Sequence, residues 1–66
     1  MQISLAAARV NANMTQKEAA KLMNVSNNTI VAWEKGKSEP SVSQARELSK
    51  IYNMPYDLIF LPDSSN

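Results

Sequence analysis

Sixty-six residues, a net charge of +1 and no cysteine or histidine set narrow bounds. A chain this short makes one domain and buries only about 60% of its unfolded surface, so its core must be built efficiently from short elements. Without Cys or His there is no disulfide framework, no thiolate or imidazole metal site and no thiol or imidazole for catalysis.

In chain order, Met1 to Ile3 read as a short lead-in. Ser4 can cap a first helix running roughly from Leu5 to Ala12. Leu5, Ala8 and Ala12 share one apolar spacing, with Val10 as a further candidate for the core. The alanines at 6 to 8 favour helix and permit close approach. Asn13 tolerates the left-handed conformation and can stop this helix.

Thr15 to Gly36 reads as two short helices joined by a tight turn, and the chain is organised around it. Thr15 can cap the first, and Glu18 stands where it completes a capping box. Ala19, Ala20, Leu22 and Met23 give that helix an apolar side, and Asn24-Val25 breaks the run. Ser26 can cap the second helix, which ends near Lys35-Gly36. Ile30 and Trp33 lie three apart and can share an inward face. Trp33 could instead stack from the surface, but its spacing from Ile30 favours the core. Asn27, Asn28, Val31 and Ala32 then face outward.

Lys35 to Glu39 forms a loop in which Gly36 permits a positive φ. Ser41 and Gln44 make a second capping box. Val42, Ala45, Leu48 and Ile51, with Tyr52, give the fourth helix a core-facing side, Leu48 and Ile51 foremost. Asn53-Met54-Pro55 interrupts it, and Pro55 can occupy the first turn of a fifth helix. Leu58, Ile59, Phe60 and Leu61 exceed one helical face. They either close the monomer core or leave an apolar remnant for another chain. Residues 62–66 read as a loose tail.

Two helices capped in this way, with the outer face of the second left free, form a helix-turn-helix, whose second helix enters the DNA major groove. Thr15-Gln16, Glu18, Ala20, Val25-Ser26, Thr29-Ile30, Trp33-Glu34, Gly36-Lys37 and Pro40 together resemble the Cro/repressor-like (XRE-type) helix-turn-helix family of phage and bacterial transcriptional regulators. The resemblance runs from about residue 4 to residue 61. It implies an all-α, five-helix, lambda-repressor-like DNA-binding domain over residues 1–61, with its helix-turn-helix at 15–36. Three positions depart from the family pattern, Ala32 among them. Asn13 stands where glycine is usual, and Pro55 where a serine or threonine cap is common.

The resemblance also assigns roles. Arg9 pairs with Glu34, tying the first helix to the end of the recognition helix, and can approach a phosphate; alternatively it is a solvated helix residue. Gln16 contacts phosphate at a helix start, or is an ordinary polar residue there. Asn27 and Asn28, at the leading end of the recognition helix, can pair bidentately with adenine, or simply open the helix. Ala32 stands where some relatives carry a polar base reader, which leaves it contact with a thymine methyl. Lys17, Ser26, Thr29, Lys35 and Lys37 are candidates for backbone contact. The lysines could equally belong to a mixed, solvated surface.

The expected function is sequence-specific binding of a double-stranded DNA operator by a Cro-like repressor. The expected partner is a second copy, brought in by DNA at a palindromic site, with contacts near Leu58, Ile59, Phe60 and Leu61. The alternative is a protein-interaction module on the same fold, such as an antitoxin or phage accessory protein. An enzyme is not expected, because the carboxylates are scattered; no cofactor or metal is expected either. The lack of a signal peptide or a spanning apolar run points to the cytoplasm, at the nucleoid, or to host cytoplasm if the gene is a phage's.

Overall fold

A hydroxyl side chain opens four of the five helices in the computed structural model, which describes residues 3–60. Ser4 caps α1 (Leu5–Asn11), Thr15 caps α2 (Gln16–Met23), Ser26 caps α3 (Asn27–Lys35) and Ser41 caps α4 (Val42–Ile51). Each side-chain oxygen accepts from the backbone N–H three residues on, satisfying a donor that the helix itself cannot. Both expected capping boxes form. Thr15 N–H donates to Glu18 Oε1 at 2.8 Å, and Ser41 N–H donates to Gln44 Oε1 at 2.8 Å. The short α5 (Tyr56–Phe60) begins just after Pro55, which therefore precedes the helix rather than filling its first turn.

The same four helices end alike. Asn13, Asn24, Gly36 and Asn53 take φ values of 61°, 60°, 77° and 52°. In each case the next residue's N–H reaches back five positions: Met14 to Arg9, Val25 to Ala20, Lys37 to Ala32 and Met54 to Ser49, at 2.9–3.2 Å. This is the Schellman closure, and asparagine substitutes for glycine in three of the four because it tolerates the left-handed region. Met14, Val25 and Met54 then turn into the core, whereas Lys37 is exposed.

Four alanines lie in the core, at 8, 19, 20 and 45, and let the helices approach closely around Ile30, Leu48 and Tyr52, the largest fully buried side chains. Helix α3 packs on α2 and α1, and α4 packs on α2 and α5. The N–H of Ile3 donates to the carbonyl of Leu58 at 2.7 Å, fastening the lead-in to α5.

Several expected core positions differ. Val10 is 61% exposed, because it lies about 140° round α1 from Leu5. Leu22 is 57% exposed on the flank of the stripe formed by Ala19, Ala20 and Met23. Val42 is 62% exposed in the first turn of α4. Tyr52 is buried, whereas Ile51 is only half-buried. Leu61 and the expected tail at 62–66 lie outside the described residues, as do Met1 and Gln2 of the lead-in.

Candidate nucleic-acid interface

The inner side of α3 is Ile30 and Trp33, both buried, so Trp33 is a core residue and not an exposed stacking platform. With that side fixed, helical periodicity carries Asn28, Val31, Ala32 and Lys35 to the opposite side, with Asn27 at its leading edge. Asn27, Asn28 and Lys35 are exposed; Val31 and Ala32 are half-buried. The sequence had placed Val31 outward without giving it a role, although its spacing of three from Asn28 and four from Lys35 was legible. Ser26 and Thr29 stand together at the helix start, their hydroxyl oxygens 3.0 Å apart, and no acidic residue occupies the first turn of α3.

Glu34 turns away from this surface and joins three helices. Arg9 Nε donates to its Oε2 at 2.7 Å and Arg9 Nη2 to its Oε1 at 3.4 Å. Gln16 Nε2 donates to the same Oε1 at 3.0 Å, while Arg9 Nη1 holds the Met14 carbonyl at 2.8 Å. The two charged side chains are only 14% and 8% exposed. The expected Arg9–Glu34 pair is therefore present. The amide of Gln16, expected at a phosphate, bonds Glu34; nothing in the sequence signals this contact across 18 residues. The hydrogen bond that Arg9 donates to Glu34 raises the Arg9 pKa, so the guanidinium stays charged. Tyr52 is pushed up to about 12, first by burial and then by the negative charge of Glu34, with Arg9 partly offsetting.

Lys17, on the first turn of α2, is exposed, as are Lys35 and Lys37 on either side of Gly36. A Cβ built on Gly36 would meet nothing within 4 Å, so this position needs glycine for its backbone angle and not for space. Within the C-terminal apolar run, Ile59 is buried in the chain's own core, and Leu58 and Phe60 are half-buried. Phe60 rests against Tyr56, with ring centroids 5.1 Å apart. An open groove of about 610 Å³ runs beside this helix, with Trp33, Val42, Tyr56 and Phe60 among its walls. Among the described residues there is no cluster of acidic side chains suited to a metal ion, and no helix long and apolar enough to cross a membrane.

Comparison with known proteins matches residues 5–59 to a family model described as helix-turn-helix. An uncharacterized HTH-type transcriptional regulator of Archaeoglobus fulgidus is 42% identical over 55 residues, covering 83% of this chain and 78% of that protein. A second, from Methanocaldococcus jannaschii, is 41% identical over 49 residues, covering 74% of each. The HTH-type transcriptional regulator ImmR of Bacillus subtilis is 36% identical over 56 residues, which is 85% of this chain but 44% of ImmR.

Proposed function

Because this chain belongs to the Cro/repressor-like (XRE-type) helix-turn-helix family, whose members bind DNA and regulate transcription, we propose that it is a Cro-like repressor that occupies a palindromic operator. One observation carries the reading. The inner face and the Glu34 end of α3 are clamped by the rest of the molecule, while Asn27, Asn28, Val31, Ala32 and Lys35 are left on its outer side. A recognition helix requires that arrangement: rigid behind, unobstructed in front. Lys17, Lys35 and Lys37 supply phosphate contacts, helped by backbone N–H groups at helix starts. Ser26 and Thr29 contact the backbone at the start of α3, and Gln16 does so through the second N–H of its amide nitrogen, the first being donated to Glu34. Occupancy excludes polymerase from the promoter, at the nucleoid.

Selection of bound sequences from a random duplex library tests the proposal. Against the selected site, Asn27→Ala and Asn28→Ala should each reduce discrimination by about 1–3 kcal/mol. Lys35→Ala and Lys37→Ala should weaken selected and random duplexes alike, and lower the salt slope by about one. An unchanged ratio of selected to random affinity in both Asn variants would remove them from the base-reading surface.

A further inference from the structure

The outer face of α3 is chemically one-sided. Its helix, NNTIVAWEK, contains no arginine, and its one lysine, Lys35, is assigned to phosphate above, so this face keeps no side chain to read guanine. Its only carboxylate, Glu34, is held by Arg9 and Gln16 and cannot accept from cytosine. What remains toward DNA is two amides, then two small apolar side chains a turn further on, then Lys35 at the end. The amides suit adenine N6 and N7. Val31 and Ala32 can hydrogen-bond to nothing, and in the major groove the apolar group on offer is the thymine C5-methyl. Half-burial leaves each with a surface that can still be covered.

We infer that Val31, with Ala32, forms an apolar seat for a thymine methyl, and that the half-site is read as A·T pairs, adenine by the asparagines and thymine by this seat. The inference rests on the DNA-binding reading above and specifies its ligand. Val31 follows Asn28 by three residues and Asn27 by four, so one turn of helix carries both kinds of reader along the groove.

The test needs the intact protein, a selected duplex and the same duplex with each thymine replaced in turn by deoxyuridine, which removes the methyl and leaves base pairing unchanged. Binding is measured by fluorescence anisotropy at one salt concentration. At one thymine or more per half-site the affinity should fall about 4-fold, the value of one methyl withdrawn from water. In Val31→Ala, shown by its melting curve to be folded, that penalty should shrink. Equal affinity for every uracil-substituted duplex would overturn the inference, and so would a selected half-site made of G·C pairs. A uracil penalty unchanged in Val31→Ala would also overturn it, by assigning the methyl to other residues. In each of those cases a specific site still exists and the regulator stands. Failure to enrich any sequence would instead defeat the DNA-binding reading, and this inference with it.

Discussion

Glu34 has two oxygens and accepts three side-chain hydrogen bonds, two from α1 and one from α2. Removing it leaves a largely buried guanidinium without its counter-charge and an amide without its acceptor. Glu34→Ala should therefore cost about 3 kcal/mol, much of it from the stranded charge rather than from the pair's net worth. In a double-mutant cycle with Arg9→Ala, followed by denaturant melting, the losses should be strongly non-additive; additive losses would mean that the two side chains are not coupled in solution. Tyr52 yields a pH prediction from the same neighbourhood. Its folded pKa of about 12 lies above its ordinary value of 10.0, so the fold favours the protonated phenol. That contribution is intact below pH 10, where both states keep the proton. It declines as the pH rises from about 10 toward 12, because the unfolded chain ionises first, by up to about 1.4 kcal/mol per pH unit. In a Tyr56→Phe background, phenolate absorbance should report Tyr52 ionising near pH 12 or only on unfolding. A midpoint at the ordinary tyrosine value would refute its desolvation.

At the scale of elements, four helices use one start and one stop. A hydroxyl closes the N-terminus, and a left-handed residue followed by a five-residue return bond closes the C-terminus. The stops make a sharp prediction for Asn24, where the chain turns from α2 toward the recognition helix. Asn24→Ala should cost about 1 kcal/mol, because alanine has no special tolerance of positive φ. Asn24→Gly should be close to neutral, its easier backbone angle offset by greater freedom in the unfolded chain. For a domain of this size the alanine variant should melt about 4–8 °C lower. Equal melting temperatures for the two variants would show that the turn's geometry does not constrain Asn24. The stop of α3 differs usefully from the others. Where Met14, Val25 and Met54 anchor the returning chain in the core, Lys37 leaves it at the surface, beside the face proposed to meet phosphate.

At the scale of the whole molecule, one small domain offers DNA a limited surface, and we propose that two-fold association doubles it. The proposed contact lies at Leu58, Phe60 and Leu61. Ile59 is committed to the monomer core, and the groove walled by Trp33, Val42, Tyr56 and Phe60 adjoins the run. A palindrome with half-sites one helical turn apart should sediment with two chains, and a half-site should bind more weakly, since the second chain is recruited by DNA already holding the first. Full-affinity binding of a single chain to the half-site would reject the dimer. A polar substitution at Phe60, checked for folding, should reduce two-chain binding; if it does not, the interface lies elsewhere.

The five helices, and the limits of the first four, were legible because caps, left-handed stops and helical periodicity act within five residues of chain. Thr15 with Glu18, Ser41 with Gln44, and Asn13, Asn24 and Gly36 each declare themselves locally, and Ile30 with Trp33 orients α3 without any knowledge of its neighbours. The Arg9–Glu34 pair was reached through family resemblance and not through local chemistry, since 25 residues separate its partners. Only the tertiary structure decided what depends on helix meeting helix. Gln16 reaches Glu34 because α2 packs on α3 at that point, and no spacing along the chain encodes the meeting. Leu22 and Val42 have the composition of core residues yet stand exposed, because an apolar stripe is covered only as far as the neighbouring helix extends over it; Val10 is exposed for the local reason that it lies off the stripe of α1. Tyr52 is buried ahead of Ile51 for the same reason: the packing of α4 against α2 and α5 selects which of two adjacent apolar residues faces inward.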